Sequence, residues 1–237
     1  MSHLYRFYAQ PEDTDPSQVI LRDEEAHHAL HVLRLKVGAE VGVFDGQGND
    51  WTCRVEECSR KELTCRVLEH CYTEPAESKV IVSLAWLNKD KAVEALIQRC
   101  TELGVGEFRF FRGEHSGRAP KSSPKWEKWA VESCKQCGRV WVPQCSVAEG
   151  LAEVLRDGET TLVASLGEDA LALRDSIDPG RDINIVIGPE GDFSEGELAQ
   201  LIRLEARPIS LGDATYRSEV AAGVMSALVM YELGRLG

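Results

Sequence analysis

The chain has 237 residues, of which 43% are hydrophobic and 28% are charged. Its length allows one large domain, or a small domain followed by a medium one. No apolar run approaches the roughly 18 residues that cross a bilayer, so the composition excludes a membrane-spanning protein. The N-terminal residues lack the apolar centre of a signal peptide, and the expected location is the cytoplasm.

Net charge and cysteine content exclude fewer classes of protein than the hydrophobic pattern does. The formal net charge of −12 argues weakly against a nucleic-acid partner, because phosphate contacts need lysine and arginine. Basic residues nevertheless cluster between positions 109 and 139, so the net charge alone decides nothing. The eight cysteines are expected to be reduced thiols, since no export signal accompanies them.

Strand and turn patterns dominate the first part of the chain. A short helix is predicted over 24–35, and a turn is predicted at 46–49. Apolar and polar residues alternate in three short runs, at 41–43, 51–55 and 63–67. These patterns predict a small β-barrel-like domain over 1–72, and the polar segment 73–78 is the expected linker.

Strands and helices alternate over the remaining residues, 78–237. Nearly continuous apolar runs predict strands at 80–86, 107–111, 160–166, 183–188 and 207–212. Helical periodicity connects Val93 to Leu103, Pro124 to Cys137, and Ser218 to Gly234. The alternation predicts an α/β domain whose parallel sheet is covered on both faces.

Several residues are typical of helix ends. Gly104 and Gly138 occupy the position just after a helix, where a left-handed residue is favoured. Ser123 and Pro124 are typical of the cap and first residue of the next helix. Two pairs have the spacing of a capping box: Ser146 with Glu149, and Ser194 with Glu197.

The last predicted helix, 218–234, is apolar on almost all sides. A helix without a polar face must be buried. The pattern does not decide where the helix is buried, which can be the core of the monomer or an interface with a second subunit.

Ligands of open parallel sheets bind beyond the carboxyl ends of the strands. Three predicted strands end in small or glycine-containing turns, where main-chain atoms can approach a ligand closely. These turns are Leu166-Gly167, Gly188-Pro189-Glu190-Gly191 and Leu211-Gly212. Each alone is most simply a tight turn, but three at one edge predict a ligand site. The chain contains no Rossmann or P-loop glycine motif, so neither of those nucleotide sites is supported.

The segment "GDATYRSEVAAG" (212–223) has two interpretations. Ser218 can serve as the N-cap of the last helix, with Glu219 stabilised by the helix dipole. Alternatively, Arg217 and Glu219 lie at the ligand edge as a charge stabiliser and a proton acceptor, with Tyr216 in the same loop.

Two further motifs favour packing or surface roles over metal binding. The C-x-x-C at 134–137 has no second ligand pair for zinc and lies in the last turn of a helix, so core packing is expected. The H-x-x-x-H at 27–31 lacks a third ligand. Arg34 and Lys36 follow it and suit a basic contact surface.

Five segments occur in an order that resembles one known family. They are "HHALHVLRLKVG" (27–38), "QRCTELGV" (98–105), "KQCGRVWVP" (135–143), "IGPEGDFSEGE" (187–197) and "LGDATYRSEVAA" (211–222). Together they resemble the ribosomal small-subunit (16S) RNA uridine N3-methyltransferases, of the SPOUT or knotted class. The resemblance covers nearly the whole chain.

The resemblance implies a PUA-like β-barrel that binds RNA, followed by an α/β SPOUT domain with a C-terminal trefoil knot. It also implies a homodimer that uses the last helix, and ribosomal RNA or the small ribosomal subunit as partner. S-adenosylmethionine is the implied cofactor, held by the three glycine-containing turns with Tyr216 and Arg217. Arg217 and Glu219 are the candidate catalytic residues. The candidate RNA contacts are Arg6, Arg34, Lys36 and Arg139.

The chain departs from the usual family pattern at a few positions. Ala214 replaces an arginine, Val220 replaces a threonine, and His115 replaces an arginine of a second segment. These departures keep two alternatives open: a non-catalytic knotted RNA-binding protein, and a related SPOUT methyltransferase with a different RNA target.

Overall fold

A computed structural model describes residues 4–87, 89–164, 171–178, 180–189 and 192–236. The chain forms two compact units. The first contains Met1–Pro75 together with Cys134–Val142, and the second contains Ala76–Ser133 together with Pro143–Gly237. None of the helices in the described ranges has the length and hydropathy needed to cross a membrane.

The first unit is built on a five-stranded sheet in the order β1-β3-β4-β5-β2. Its strands are β1 (Arg6–Tyr8), β2 (Gln18–Arg22), β3 (Glu40–Phe44), β4 (Asn49–Cys58) and β5 (Glu62–Tyr72). All neighbouring pairs are antiparallel except β1 and β3. A core of alternate apolar residues fills the unit, with Phe7, Leu21 and Leu63 fully buried. Three of these strands match the predicted runs, whereas β1 and β2 were not predicted.

The helix predicted over 24–35 is present but ends earlier. Helix α1 (Asp23–His27) continues as a π-helical turn, His28–Val32. The chain then turns at Arg34, whose φ is +54°, and the Leu35 N–H donates to the Ala29 carbonyl. This closure ends the helix in the way a C-terminal glycine usually does, although arginine occupies the left-handed position.

Residues 134–142 complete the first unit by bonding to its predicted turn. The Gly48 N–H donates to the Val140 carbonyl at 3.0 Å, and the Val142 N–H donates to Gly46 at 3.1 Å. The Trp141 indole donates to the Thr73 carbonyl at 2.9 Å. A Cβ at Gly48 would lie 2.7 Å from that same carbonyl, so only glycine fits the turn.

The second unit contains a six-stranded parallel sheet in the order β11-β9-β10-β6-β7-β8. The strands are β6 (Val80–Ala85), β7 (Glu107–Phe111), β8 (Gln144–Ala148), β9 (Thr160–Ala164), β10 (Ile183–Ile187) and β11 (Arg207–Ile209). The helices are α2 (Asp90–Glu102), α3 (Pro124–Cys137), α4 (Leu151–Val154), α5 (Glu195–Arg203) and α6 (Ser218–Glu232). A 3-10 turn forms at Leu173–Ser176.

Both faces of this sheet are covered, as predicted. Every residue of β6, β7 and β10 is buried, and successive side chains of a strand point to opposite faces. Leu151 and Leu201 pack on one face with Val186, while α6 lies against β6, β10 and α2. Helix α6 therefore belongs in part to the core of its own chain.

The predicted helix ends had different outcomes. Ser194 and Glu197 form a capping box at α5, as predicted. The box predicted for Ser146 and Glu149 is wrong, because Ser146 lies in β8 and its hydroxyl donates to the Phe108 carbonyl. Gly104 has φ +102° just after α2, which confirms its predicted position.

A buried ion network ties the strands of the second unit to the start of β9. The Arg109 side chain is 2% exposed and donates to Glu107 at 2.7 Å and to both carboxylate oxygens of Glu159. Its guanidinium also donates to the Val154 carbonyl, which accepts a second bond from Asn184. Burial opposes the charge on Glu107, but the hydrogen bond and charge of Arg109 outweigh it and lower the pKa of that carboxyl.

We expect Arg109→Met to destabilise the second unit by about 3–5 kcal/mol at neutral pH, since it removes the buried partner of Glu159 and the shortest ion pair of Glu107. Glu107 has a lowered pKa in the native protein, so its contribution to stability is present above its unfolded pKa and is lost on acidification. In the variant, burial without Arg109 favours the protonated carboxyl. The loss of stability should therefore be smaller at pH 5 than at pH 7 in urea unfolding.

The matched control is Arg181→Met, which removes the exposed pair of Arg181 with Asp178 in the same unit. Exposed pairs contribute about 0–1 kcal/mol. Equal losses of unfolding free energy in the two variants would contradict the role given to the buried network.

Candidate active site

Strands β9, β10 and β11 end at one edge of the sheet. The three strands are parallel and adjacent, so their carboxyl ends coincide. Gly188 and Pro189 directly follow β10, and Leu211 and Gly212 closely follow β11. The other predicted cofactor residues, Leu166, Gly167, Glu190 and Gly191, lie outside the described residues.

A hydrogen bond connects two of these loops. The Ser218 hydroxyl, in the first turn of α6, donates to the Gly188 carbonyl at 3.0 Å. Arg217 occupies the N-cap position and makes no side-chain cap bond, so the interpretation of Ser218 as the N-cap is wrong. Gly188 is itself tightly enclosed, because an added Cβ would lie 3.0 Å from the ring of Phe193.

The loop from Leu211 to Arg217 presents main-chain atoms to solvent. Gly212 has φ +92°, and nothing lies within 4 Å of the position its Cβ would take. Within the described ranges, the amide N–H groups of 213–217 find no acceptor. Exposed main-chain donors beside an open glycine suit a polar ligand.

Tyr216, Arg217 and Glu219 line a common cavity of about 560 Å³. The opposite wall is one side of α2, from its first turn to its last, with the residue before the helix. It brings three further cations to the cavity, from Lys89, Lys91 and Arg99. The cavity lining thus contains four cationic side chains and one carboxylate, Glu219. This balance favours an anionic ligand and leaves one side chain able to accept a proton.

The three α2-side cations were not predicted as site residues. Lys89 and Lys91 flank the first residue of a helix, and Arg99 lies two turns further along it. Their sequence signal is only the presence of basic residues in and just before a helix, which matches no motif and does not reveal which loop the helix faces.

Two predicted RNA contacts, Arg34 and Lys36, are exposed just after α1 in the first unit. Arg34 adopts φ +54°, which few residues other than glycine, asparagine and aspartate accept without strain. A strained arginine in an exposed turn suggests selection for its side chain at that place.

Arg6 and Arg139 have a different environment in the same unit. Arg6 pairs with Asp50 at 3.2 Å and lies over the Phe44 ring at 5.2 Å. Two of its guanidinium nitrogens, Nε and Nη2, are buried without a partner among the described atoms. Arg139 is half-buried, and burial lowers its pKa. The structure therefore separates the four predicted contacts into two exposed and two largely enclosed residues.

The cysteine and histidine motifs adopt packing and surface positions. Cys134 is buried and burial raises its pKa to about 12, whereas Cys137 is exposed. The rings of His27 and His31 lie 4.9 Å apart on α1 and its continuation. Across the described part of the chain, no three His, Cys, Asp or Glu side chains form a group that could hold a metal. All eight cysteines are free thiols, as predicted.

Several comparisons with known proteins agree. The Bacillus subtilis protein named ribosomal RNA small subunit methyltransferase E is 28% identical over 226 residues, covering 88% of each chain. A crystal structure of a probable rRNA methyltransferase from Porphyromonas gingivalis has a TM-score of 0.88 and 27% identity, covering 98% of this chain and 99% of that one. The Neisseria gonorrhoeae ribosomal RNA small subunit methyltransferase E, solved bound to S-adenosyl methionine, has a TM-score of 0.82 and 25% identity, covering 97% and 98%.

Two domain families match this chain directly. The RNA methyltransferase PUA domain matches residues 21–68, and the RNA methyltransferase domain matches residues 74–230. Together with the relatives above, these matches confirm the predicted resemblance to ribosomal small-subunit RNA methyltransferases. The second match covers well over half of the chain, and the protein therefore belongs to the RNA methyltransferase domain family, with a PUA domain in its N-terminal part.

Proposed function

We propose that this protein transfers a methyl group from S-adenosylmethionine to N3 of a uridine in small-subunit (16S) ribosomal RNA. The observation that carries the proposal is the cavity in which Arg217 and Glu219 face a basic wall at the edge of the parallel sheet. Such an edge is where parallel α/β sheets bind their ligands. Because the proposed substrate is ribosomal RNA, we also place the protein in the cytoplasm.

The loops at this edge fit the proposed cofactor. S-adenosylmethionine supplies an electrophilic methyl group on a positively charged sulfur when it is bound. Gly188, Pro189, Leu211 and Gly212 would hold it through main-chain atoms, together with the exposed amides of 213–217. Leu166, Gly167, Glu190 and Gly191 complete the proposed cofactor set, with Tyr216 at the mouth.

Arg217 and Glu219 act on the uracil in this proposal. N3 of uridine carries a proton that must leave before the nitrogen can accept a methyl group. Glu219 receives that proton, and Arg217 stabilises the negative charge that grows on a uracil carbonyl oxygen. The base must first leave its stack, at a cost of about a few kcal/mol. The cations of α2 bind the phosphates that flank it.

A trefoil knot is part of the same proposal. The chain leaves β10, passes through α5 to β11 on the far side of β9, and then returns along α6 to β6 and β10. The bond from Ser218 to Gly188 holds the returning segment against the loop after β10. An experimental structure with an unthreaded chain at this point would contradict the knot.

We also propose a homodimer formed through α6. The helix buries Ala222, Met225 and Val229 in its own unit, yet Leu228 is 41% exposed and Tyr231 is 63% exposed. Large apolar side chains on the outer side of a largely apolar helix favour a second subunit as cover.

Tyr231→Glu should halve the mass measured by sedimentation equilibrium, because a carboxylate cannot be buried unpaired at the interface. The matched control is Ile202→Glu, which replaces a 76% exposed apolar residue of α5. A wild-type protein that sediments as a monomer would contradict the dimer.

The RNA contacts make a prediction that depends on salt. Replacing Arg34 and Lys36 together by alanine should weaken RNA binding at every sequence. It should also reduce the slope of log K against log salt by roughly 0.7 for each phosphate of a single strand that the variant no longer neutralises. The control is the double alanine variant of Arg60 and Lys61, which removes the same charge from an exposed turn of the same unit. Equal salt slopes in both variants would overturn the assignment of Arg34 and Lys36.

The function itself is tested by methyl transfer and by mapping the product. Purified protein incubated with S-adenosylmethionine and small ribosomal subunits or naked 16S RNA should yield 3-methyluridine at one position in mass spectrometry. Cells that lack the protein should lose the same modification. If the protein methylates another atom or another RNA, it is a related methyltransferase with a different target. If calorimetry shows no binding of S-adenosylmethionine, the protein is the non-catalytic RNA-binding alternative.

The variant Arg217→Ala tests the proposed catalytic role of this residue in the same assay. We expect kcat to fall by about 10²–10³-fold, because the variant lacks the donor that stabilises charge in the transition state. The affinity for S-adenosylmethionine should change much less, since main-chain atoms hold the cofactor. Arg181→Ala removes an exposed arginine of the same unit and serves as the control. Turnover by Arg217→Ala at the wild-type rate would exclude the proposed role.

A further inference from the structure

A second cavity, of about 410 Å³, lies beside the proposed active site and takes no part in the mechanism above. It opens between the starts of α2 and α3, just beyond the carboxyl end of β6. Three tryptophans line it, namely Trp86, Trp126 and Trp129. Trp126 and Trp129 lie three residues apart and therefore on the same side of α3.

The aromatic wall is rigid on one side and open on the other. Trp86 and Trp126 are 7% and 3% exposed, and their rings lie 5.7 Å apart. Phe110 fixes both, at 5.6 Å from Trp86 and 4.7 Å from Trp126. Trp129 is half-exposed at the rim. A flat ring entering this cavity would meet the Trp129 ring, backed by the buried pair, and exposed aromatic rings of this kind stack nucleic-acid bases.

One polar atom of this wall lacks a partner. The indole Nε1 of Trp86 is buried and has no hydrogen-bond acceptor among the described residues. Buried tryptophan N–H groups nearly always have a partner, because an unmade bond costs free energy. The atom is closed to solvent, so a ligand in the open cavity does not reach it without movement of the wall.

The rim of the cavity is basic. Arg118, Lys121 and Lys125 line it and are exposed, against a single carboxylate from Asp90. Aromatic surface inside and cations at the mouth together fit a ligand that carries a flat ring and a phosphate.

The position of the cavity identifies which nucleotide it would take. Asp90 lines the tryptophan cavity, while its chain neighbours Lys89 and Lys91 line the cavity that holds Arg217. Consecutive Cα atoms are about 3.8 Å apart, so the first turn of α2 belongs to the lining of both cavities. A nucleotide next to the target base is the one that this placement would bring within reach of the tryptophan cavity.

We propose that the tryptophan cavity binds an unpaired nucleotide of the RNA substrate, next to the nucleotide that is methylated. The base stacks on Trp129, and Lys121 and Lys125 bind its phosphates. The role as a neighbour of the target rests on the proposed methyl transfer, whereas binding of a single-stranded nucleotide does not.

Trp129→Ala and Trp129→Phe in the full-length protein test the stacking. A fluorescein-labelled single-stranded oligouridine is titrated without S-adenosylmethionine and followed by anisotropy. The alanine variant should bind roughly tenfold more weakly, and the phenylalanine variant should retain most of the affinity. Circular dichroism checks that α3 remains folded. Equal affinity of wild type and Trp129→Ala, or equal losses in both variants, would overturn the proposal.

Lys121→Ala with Lys125→Ala provides an independent test with exposed residues. This pair should lower the salt slope of oligouridine binding, while Lys61→Ala, in an exposed turn of the first unit, should leave it unchanged. Salt slopes that match the wild type in the Lys121 and Lys125 variant would count against the phosphate contacts.

Methyl-transfer kinetics separate this inference from the proposed function. Trp129→Ala should raise KM for RNA by roughly tenfold and leave kcat and the affinity for S-adenosylmethionine near wild type. If the wild type methylates RNA and Trp129→Ala has an unchanged KM, the nucleotide cavity is wrong and the function stands. If no methyl transfer occurs but oligouridine binding still depends on Trp129, the cavity stands and the function falls.

Discussion

The parallel direction of the six strands in the second unit decides where chemistry can occur. Parallel strands require crossovers, so each strand is followed by a segment that leaves from the same edge as its neighbours. Loops that are far apart in sequence, after β10 and after β11, therefore lie close together, and a hydrogen bond from Ser218 to Gly188 joins them. Main-chain donors and acceptors in these loops are not paired in the sheet, so they are available to a ligand.

Helix α2 organises the side chains around that edge. Its first turn contributes to two cavities, one basic and facing Arg217, the other aromatic and facing α3. Away from these cavities, the buried contacts of Arg109 with Glu107 and Glu159 connect β7 to the start of β9, two strands that do not pair with each other.

Periodicity predicted the parts of the fold that depend on local pattern. The apolar runs of β6 and β10, the C-terminal glycine at Gly104 and the capping box of Ser194 all have short-range causes, and the structure contains them. The order of the chain segments predicted the family. Strands β1 and β2 escaped prediction because they are only three and five residues long and pair with distant strands.

Side chains that bond across long distances were predicted least well. Ser218 has the composition of an N-cap, yet its hydroxyl bonds to a carbonyl thirty positions away, which no local pattern specifies. Ser146 also has a residue type and spacing typical of a helix cap, yet it lies in the edge strand β8. Lys89, Lys91 and Arg99 became visible only when α2 was placed opposite the loop of Arg217. Local chemistry identifies candidates, and tertiary placement decides which of them meet.

The segment 134–142 has a consequence for the order of folding during synthesis. Gly48, Thr73 and the turn between β3 and β4 bond to residues that the ribosome adds only after β6, α2 and β7 have been made. The N-terminal part cannot reach its final hydrogen bonding while it is the only part outside the exit tunnel, although domains often fold in order of emergence. A fragment cut at the linker lacks the partners of Gly48 and Thr73, so the linker does not mark the end of the first compact unit, which also contains Cys134–Val142.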